Sequence, residues 1–214
     1  VVGIVLGVYI GTIVLLNIPN IQQAMSVFVA EELSEVLNTK VVIGRINMGL
    51  LNRIIIDDVL LDDQSGQEML KVTRLSAKFD IMPFFKGKIS ISSVQLFGFN
   101  IDLRKETPDS PPNFKFVLDA FASKDTVKKE NSLDLRINSI LIRRGRMSYH
   151  VLSEEETPGK FNAKHIQLQN IIANISLKAL SKDSLNLGIK RLSLDEKASG
   201  FSLKKMSLKR RYAA

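Results

Sequence analysis

The stretch ISISSVQLFGFNIDL, Ile89 to Leu103, decides the fold. Phe97, Phe99, Ile101 and Leu103 alternate with Gly98, Asn100 and Asp102. A period of two turns every second side chain of a strand to the same face. The apolar parity shifts around the glycine, and a second stretch, LRINSILIRRGRMSYHV (135–151), repeats the order apolar, serine, apolar-x-apolar, glycine, alternating strand. Glycine between two such runs fits a bulge or a tight hairpin turn. Repetition of the unit points to an array of strands rather than one closed core.

The same period recurs to either side. Leu75, Ala77, Phe79 and Ile81 alternate with Ser76, Lys78 and Asp80, and Leu133, Leu135 and Ile137 with Asp134 and Arg136. Met147, Tyr149 and Val151 alternate with Ser148 and His150; Ile171, Ala173, Ile175 and Leu177 alternate with Ile172, Asn174 and Ser176. With turn signals between the runs, residues 39–214 are expected to form an antiparallel sheet. NRIIIDDVLLDDQSG (52–66) fits two short strand pieces meeting at a bend, followed by DDQSGQ as the reversing turn. Its aspartates lack the D-x-D-x-D-G spacing of a calcium loop and suit turn hydrogen bonding instead.

Upstream the pattern is helical. Residues 1–18 carry no charge, and twelve of them are Val, Ile or Leu. Eighteen residues rise about 27 Å as a helix, enough for a hydrocarbon core. Residues 1–19 are therefore expected to be a transmembrane anchor. A cleavable signal peptide is the alternative, but it would carry a shorter core and a small-x-small site, which NIPNIQQAMSV lacks. Glu31, Glu32 and Glu35 precede any Lys or Arg, which favours that flank as the translocated side. In 20–38, Ile21, Met25, Phe28, Val29, Leu33, Val36 and Leu37 form a stripe opposite Gln22, Gln23, Glu31 and Ser34, as in an amphipathic helix. A short helical insertion is expected near 111–124, with Asn113 as its cap.

The absence of cysteine excludes disulfides, thiolate metal sites and cysteine nucleophiles. Of the net charge of +8, +6 falls in residues 181–214, where nine Lys/Arg face three acids. Such a surface suits anionic headgroups or an acidic partner. Nucleic acid is disfavoured, because aromatic residues do not interleave with the charge. No nucleophile elbow, phosphate loop or zinc-protease motif is present, and His150 and His165 lie in strand-like segments, His150 on the side opposite Tyr149. The expectation is a protein that is not an enzyme and uses no cofactor or metal.

The order of these elements resembles the start of the TamB proteins, within the AsmA-like group. The resemblance rests on a single N-terminal span, a short amphipathic helix, and then TKVVIGRINMGLLNRIIIDDVLLDDQSGQEMLKVTRLSAKFDIMPFFKGKISISSVQLFGFNIDLRKE (39–106). It covers residues 1–105 well and the remainder loosely, as repeated strands. NFKFVLDAF and SLNLGIKRLSLDEKASGFSL look closest to TamB-like proteins of the Bacteroidota. The resemblance implies a mainly β protein with an elongated antiparallel β-groove (β-taco) and an apolar concave face. It implies an inner-membrane anchor, a periplasmic location in a Gram-negative envelope, and phospholipid transfer towards the outer membrane. The alternative it carries is an anchored scaffold for outer-membrane protein assembly, working with a BamA-like barrel partner through a C-terminal region outside this chain.

The residues expected to meet lipid on the concave face are Leu75, Phe79, Ile81, Phe97, Phe99, Ile101, Leu103, Met147 and Tyr149. One apolar face of the strands must be covered, either by protein as a sealed core or by acyl chains. A sixteen-carbon chain removed from water gains on the order of 10 kcal/mol.

Overall fold

A computed structural model describes residues 7, 11, 14, 18–49, 52–80, 89–122, 133–134, 138–181 and 184–213. The expected anchor at 1–19 falls largely outside them, and no helix among the described residues is long and apolar enough to cross a membrane.

Helix α1 (Pro19–Leu37) opens on a proline, whose missing N–H costs nothing in a first helical turn. It ends at Asn38, left-handed at φ 48°, whose N–H and that of Thr39 bond back to Glu35 and Ser34 carbonyls. The buried face is rotated from the expected stripe. Met25, Val29, Leu33 and Leu37 do pack inward, but Phe28 (62% exposed) and Val36 (43%) face out. Gln22 and Ser26 are buried in their place, Ser26 Oγ donating to the Gln22 carbonyl at 2.8 Å. Ser34, expected on the polar side, accepts a hydrogen bond from Val41 N at 3.0 Å and ties helix to sheet.

The sheet runs through β1 (Val41–Gly49), β2 (Arg53–Asp62), β3 (Glu68–Phe79), β4 (Ile89–Lys105), β6 (Ser139–Val151), β7 (His165–Ser181), β8 (Ser184–Glu196) and β9 (Ser202–Ala213) in that order. The two-residue β5 (Leu133–Asp134) pairs with β4 off this path. The fold is mainly β, as expected, and the first and last strands do not meet, so the sheet is open.

It is not antiparallel throughout. β4 and β6 pair in parallel, Leu96 with Ile142 and Ile101 with Met147. The two copies of the internal repeat thus lie side by side in the same direction. A parallel pair needs a crossover, and residues 106–138, with helix α2 (Lys115–Ala122), supply it. Asn113 does not cap α2; its side-chain amide bonds Arg104 N and the Asp102 carbonyl, fastening the crossover to β4.

A transverse crease explains the parity shifts. Asp58 (φ 56°), Gly98 (φ 64°), Arg144 (φ 55°) and Asn170 (φ 55°) are left-handed within β2, β4, β6 and β7. The flanking pairs set Asp58 opposite Thr73, Thr73 opposite Gly98, and Gly98 opposite Arg144. Across this line the apolar positions jump by three rather than two: Ile56 to Val59, Val72 to Leu75, Leu96 to Phe99. The bend expected in IIIDDVLL is the Asp58 point of this line, and DDQSGQ is the hairpin turn, with Gly66 at φ 78°. Gly98 lies inside one continuous strand whose register with β3 and β6 does not shift across it, so it is a left-handed kink, neither a bulge nor a hairpin turn.

Candidate functional site

Register assembles the apolar face. Val41, Leu61, Leu70, Ile101, Met147 and Leu168 are successive cross-strand partners from β1 to β7. Direct partners share a face, so six strands place one apolar side chain each in a row about 24 Å long. Beside the row, Val72, Phe99 and Ile171 are buried to 3%, 7% and 8% exposure, with Leu75, Leu96, Ile142 and Leu194 half-buried against them.

The two ends of the face are covered differently. Over β1, β2 and the start of β3, Leu37, Val29 and Leu33 of α1 and Phe116, Val117 and Ala120 of α2 pack in one cluster with Val41, Ile43, Ile46, Leu61 and Met69. From Val72 to Ile171, the described residues that pack together all come from strands of the sheet, and neither helix contributes.

Of the expected lipid-facing residues, Leu75, Phe99, Ile101 and Met147 come together in this cluster. Leu103 and Tyr149 are half-buried and paired with each other, and Tyr149 pairs onward with Ile166, extending the same face. Phe79 is half-buried at the end of β3, opposite Ile91. Ile81 lies outside the described residues. Phe97 does not share the face, because the left-handed Gly98 breaks the alternation between Phe97 and Phe99. It is 38% exposed on the other side of the sheet, under the Arg144 guanidinium at 5.1 Å from the ring centroid. A shallow cavity of about 620 Å³ there is lined by Phe97, Leu141, Thr73, Arg74, Gln95 and Arg143. Arg74 is held by Asp57 at 2.6 Å.

Two buried acids fix hairpin turns beyond Leu61 and Leu194. Asp63 Oδ1 accepts from Ser65 N (2.9 Å), Ser65 Oγ (2.6 Å) and Gln67 N (3.1 Å), while its Oδ2 meets Arg104 Nη2 at 2.7 Å. Glu196 accepts from the backbone N–H groups of Gln167, Ala198 and Ser199 and from the Ser199 hydroxyl. Burial alone pushes each carboxyl up. For Asp63 the bonds from Ser65, Gln67 and Asn113 outweigh it and leave the pKa below its ordinary value. For Glu196, bonds from Ser199, Ala198 and Gln167 do the same and hold it at about 2.

The sequence reading overlooked one constellation. His150 and His165 are direct cross-strand partners, Nδ1 to Nδ1 3.1 Å; His165 is buried, and His150, expected to be exposed, is half-buried. Fifteen residues and an irregular loop separate them, so no motif announces the pair; only the β6–β7 register does. The basic residues Lys190, Arg191, Lys204, Lys205 and Lys209 are exposed along β8 and β9. No protein-family model matches this chain, and a search of curated proteins finds no match to it.

Proposed function

We propose that the apolar face of the open sheet is a trough for phospholipid acyl chains, and that the chain is the N-terminal segment of an anchored lipid-transfer bridge. In this reading it stands in the inner membrane of a Gram-negative envelope and extends into the periplasm. The observation that supports it is the row Leu70–Ile101–Met147–Leu168, half-buried on a sheet that does not close. The uncharged residues 1–18 support the anchor, and the element order resembling TamB and AsmA-like proteins supports the direction of transfer. Physically, a row with one apolar side chain per strand shields a sliding acyl chain at every step, at about 0.8 kcal/mol per methylene. Headgroups remain in water along the open side.

One observation favours a second reading, an anchored scaffold for outer-membrane protein assembly. Val72 at 3% exposure is as buried as a sealed core residue. Site-specific photocrosslinkers in the full chain in cells separate the two. The bridge predicts phospholipid adducts at Ile101 and Met147 and none at Asn100 and Arg146, which are exposed neighbours of opposite parity. Absence of lipid adducts at all four positions would sink the bridge and leave the scaffold.

A further inference from the structure

We propose that His150, His165 and Glu156 form a site for a divalent transition metal of the zinc class, which clamps the loop between β6 and β7 onto the sheet. This is independent of what the apolar face binds. The three side chains bring one ligand atom each to within 4.8 Å of one another. The two Nδ1 atoms are 3.1 Å apart, and Glu156 Oε1 stands nearly equidistant from them, at 3.9 Å from His150 and 4.0 Å from His165. Ligand atoms around a tetrahedral zinc with bonds of 2.0–2.1 Å sit about 3.3 Å apart. The histidine pair already has that separation. Glu156 is on the loop, 64% exposed, and less than about 1 Å of movement brings its oxygen into the same sphere.

The hydrogen bonding around the pair has the form a metal site needs. His165 Nε2 is 2.9 Å from the Glu154 carbonyl oxygen. A carbonyl only accepts, so Nε2 carries the proton and the neutral ring presents a lone pair at Nδ1. A metal-ligating histidine commonly donates its far N–H to a backbone carbonyl in this way, which fixes tautomer and ring orientation. His150 Nδ1 donates to that lone pair in the metal-free pair. On metal binding, the His150 proton moves to Nε2 and both Nδ1 lone pairs face the ion.

Charge and shape agree. Glu154 is engaged by Lys164 at 2.6 Å, leaving Glu156 as the carboxylate directed at the histidines among the described residues. Three protein ligands leave a fourth position for water, beside a cavity of about 230 Å³ lined by Glu156, Thr157, Asn162, His165 and Lys197. Two imidazoles and one carboxylate suit Zn²⁺, Co²⁺ or Ni²⁺, and offer too few oxygens for Ca²⁺ or Mg²⁺.

The test is titration of the untagged, metal-stripped full chain with Co²⁺, followed by Zn²⁺, at neutral pH. Expected are one Co²⁺ per chain with the visible bands of tetrahedral cobalt, displacement by Zn²⁺, and a higher melting temperature with Zn²⁺ bound. Glu156→Gln, which removes the only carboxylate of the three ligands, should weaken Co²⁺ binding by at least the roughly 10–100-fold lost with an outer-shell partner. Its metal-free melting should be unchanged, since the side chain is exposed. His150→Gln and His165→Ala should abolish the bands. Absence of tetrahedral bands in the native chain, or undiminished binding in Glu156→Gln, would overturn the site even if a histidine variant failed to fold.

Discussion

The Phe99 ring lies over Gly145 of the neighbouring parallel strand, so close that a Cβ at Gly145 would fall 2.4 Å from ring atoms Cε1 and Cζ and 3.1 Å from Ile171 Cβ. The absence of a side chain there lets Phe99 reach across β6 to Ile171 and makes the apolar face continuous. Gly145→Ala is expected to cost about 1–3 kcal/mol by overpacking, read as a lower urea midpoint. Phe99→Leu should relieve part of that cost, and a double-mutant cycle showing simple additivity would contradict the contact.

Gly98 combines φ of 64° with Thr73 Oγ1 only 2.7 Å from where a Cβ would stand. Gly98→Val therefore meets both backbone strain and a clash, at about 1–3 kcal/mol for the strain alone. Asp58 has the same backbone hand but is exposed, so Asp58→Gly should be neutral or slightly stabilising. Equal destabilisation by the two changes would refute the crease as described.

Glu196 gives a pH signature. Its folded pKa of about 2 lies below the ordinary 4.5, so the folded state gains from its ionisation. That contribution is fully present above about pH 4.5 and fades as pH falls towards 2. Glu196→Gln removes it, so native and variant stabilities should differ by about 1–3 kcal/mol at neutral pH and converge in acid. Chemical unfolding at a series of pH values reads this directly. A gap that stays constant down to pH 2 would mean that the turn bonds do not favour the ionised form.

Two ion pairs should behave differently. Asp63 is 4% exposed against Arg104 at 18%, and four further donor contacts from Ser65, Gln67 and Asn113 converge on it. Asp63→Ala is expected to cost about 2–4 kcal/mol, because it leaves the converging Ser65, Gln67 and Asn113 donors without their acceptor and Arg104 with only Asp102, at 3.3 Å, as an ionic partner. Arg74 is 57% exposed in its pair with Asp57, and Arg74→Ala should cost less than about 1 kcal/mol. Thermal melting of the two variants decides it.

The alternating runs determined that this chain is mainly strand, and the bend in IIIDDVLL, the DDQSGQ turn and the α1 segment are legible there too, because period and turn chemistry are local. The same local logic put Phe97 beside Phe99, which fails at one left-handed residue. Whether a glycine inside an alternating run ends a strand or only kinks it depends on what pairs with it, here Thr73 and Arg144. The covered face of α1 is not legible for a related reason: the flank that turns inward carries the polar Gln22 and Ser26, and only the position of β1 selects it over Phe28 and Val36.

The parallel join of β4 and β6, the row from Val41 to Leu168, and the meeting of His150 with His165 were set by tertiary structure alone. Each depends on register between segments distant in sequence, and period-two patterns are satisfied by many registers. Sequence thus fixes which side chains alternate. Hydrogen bonding between strands and packing around the crease decide which of them meet.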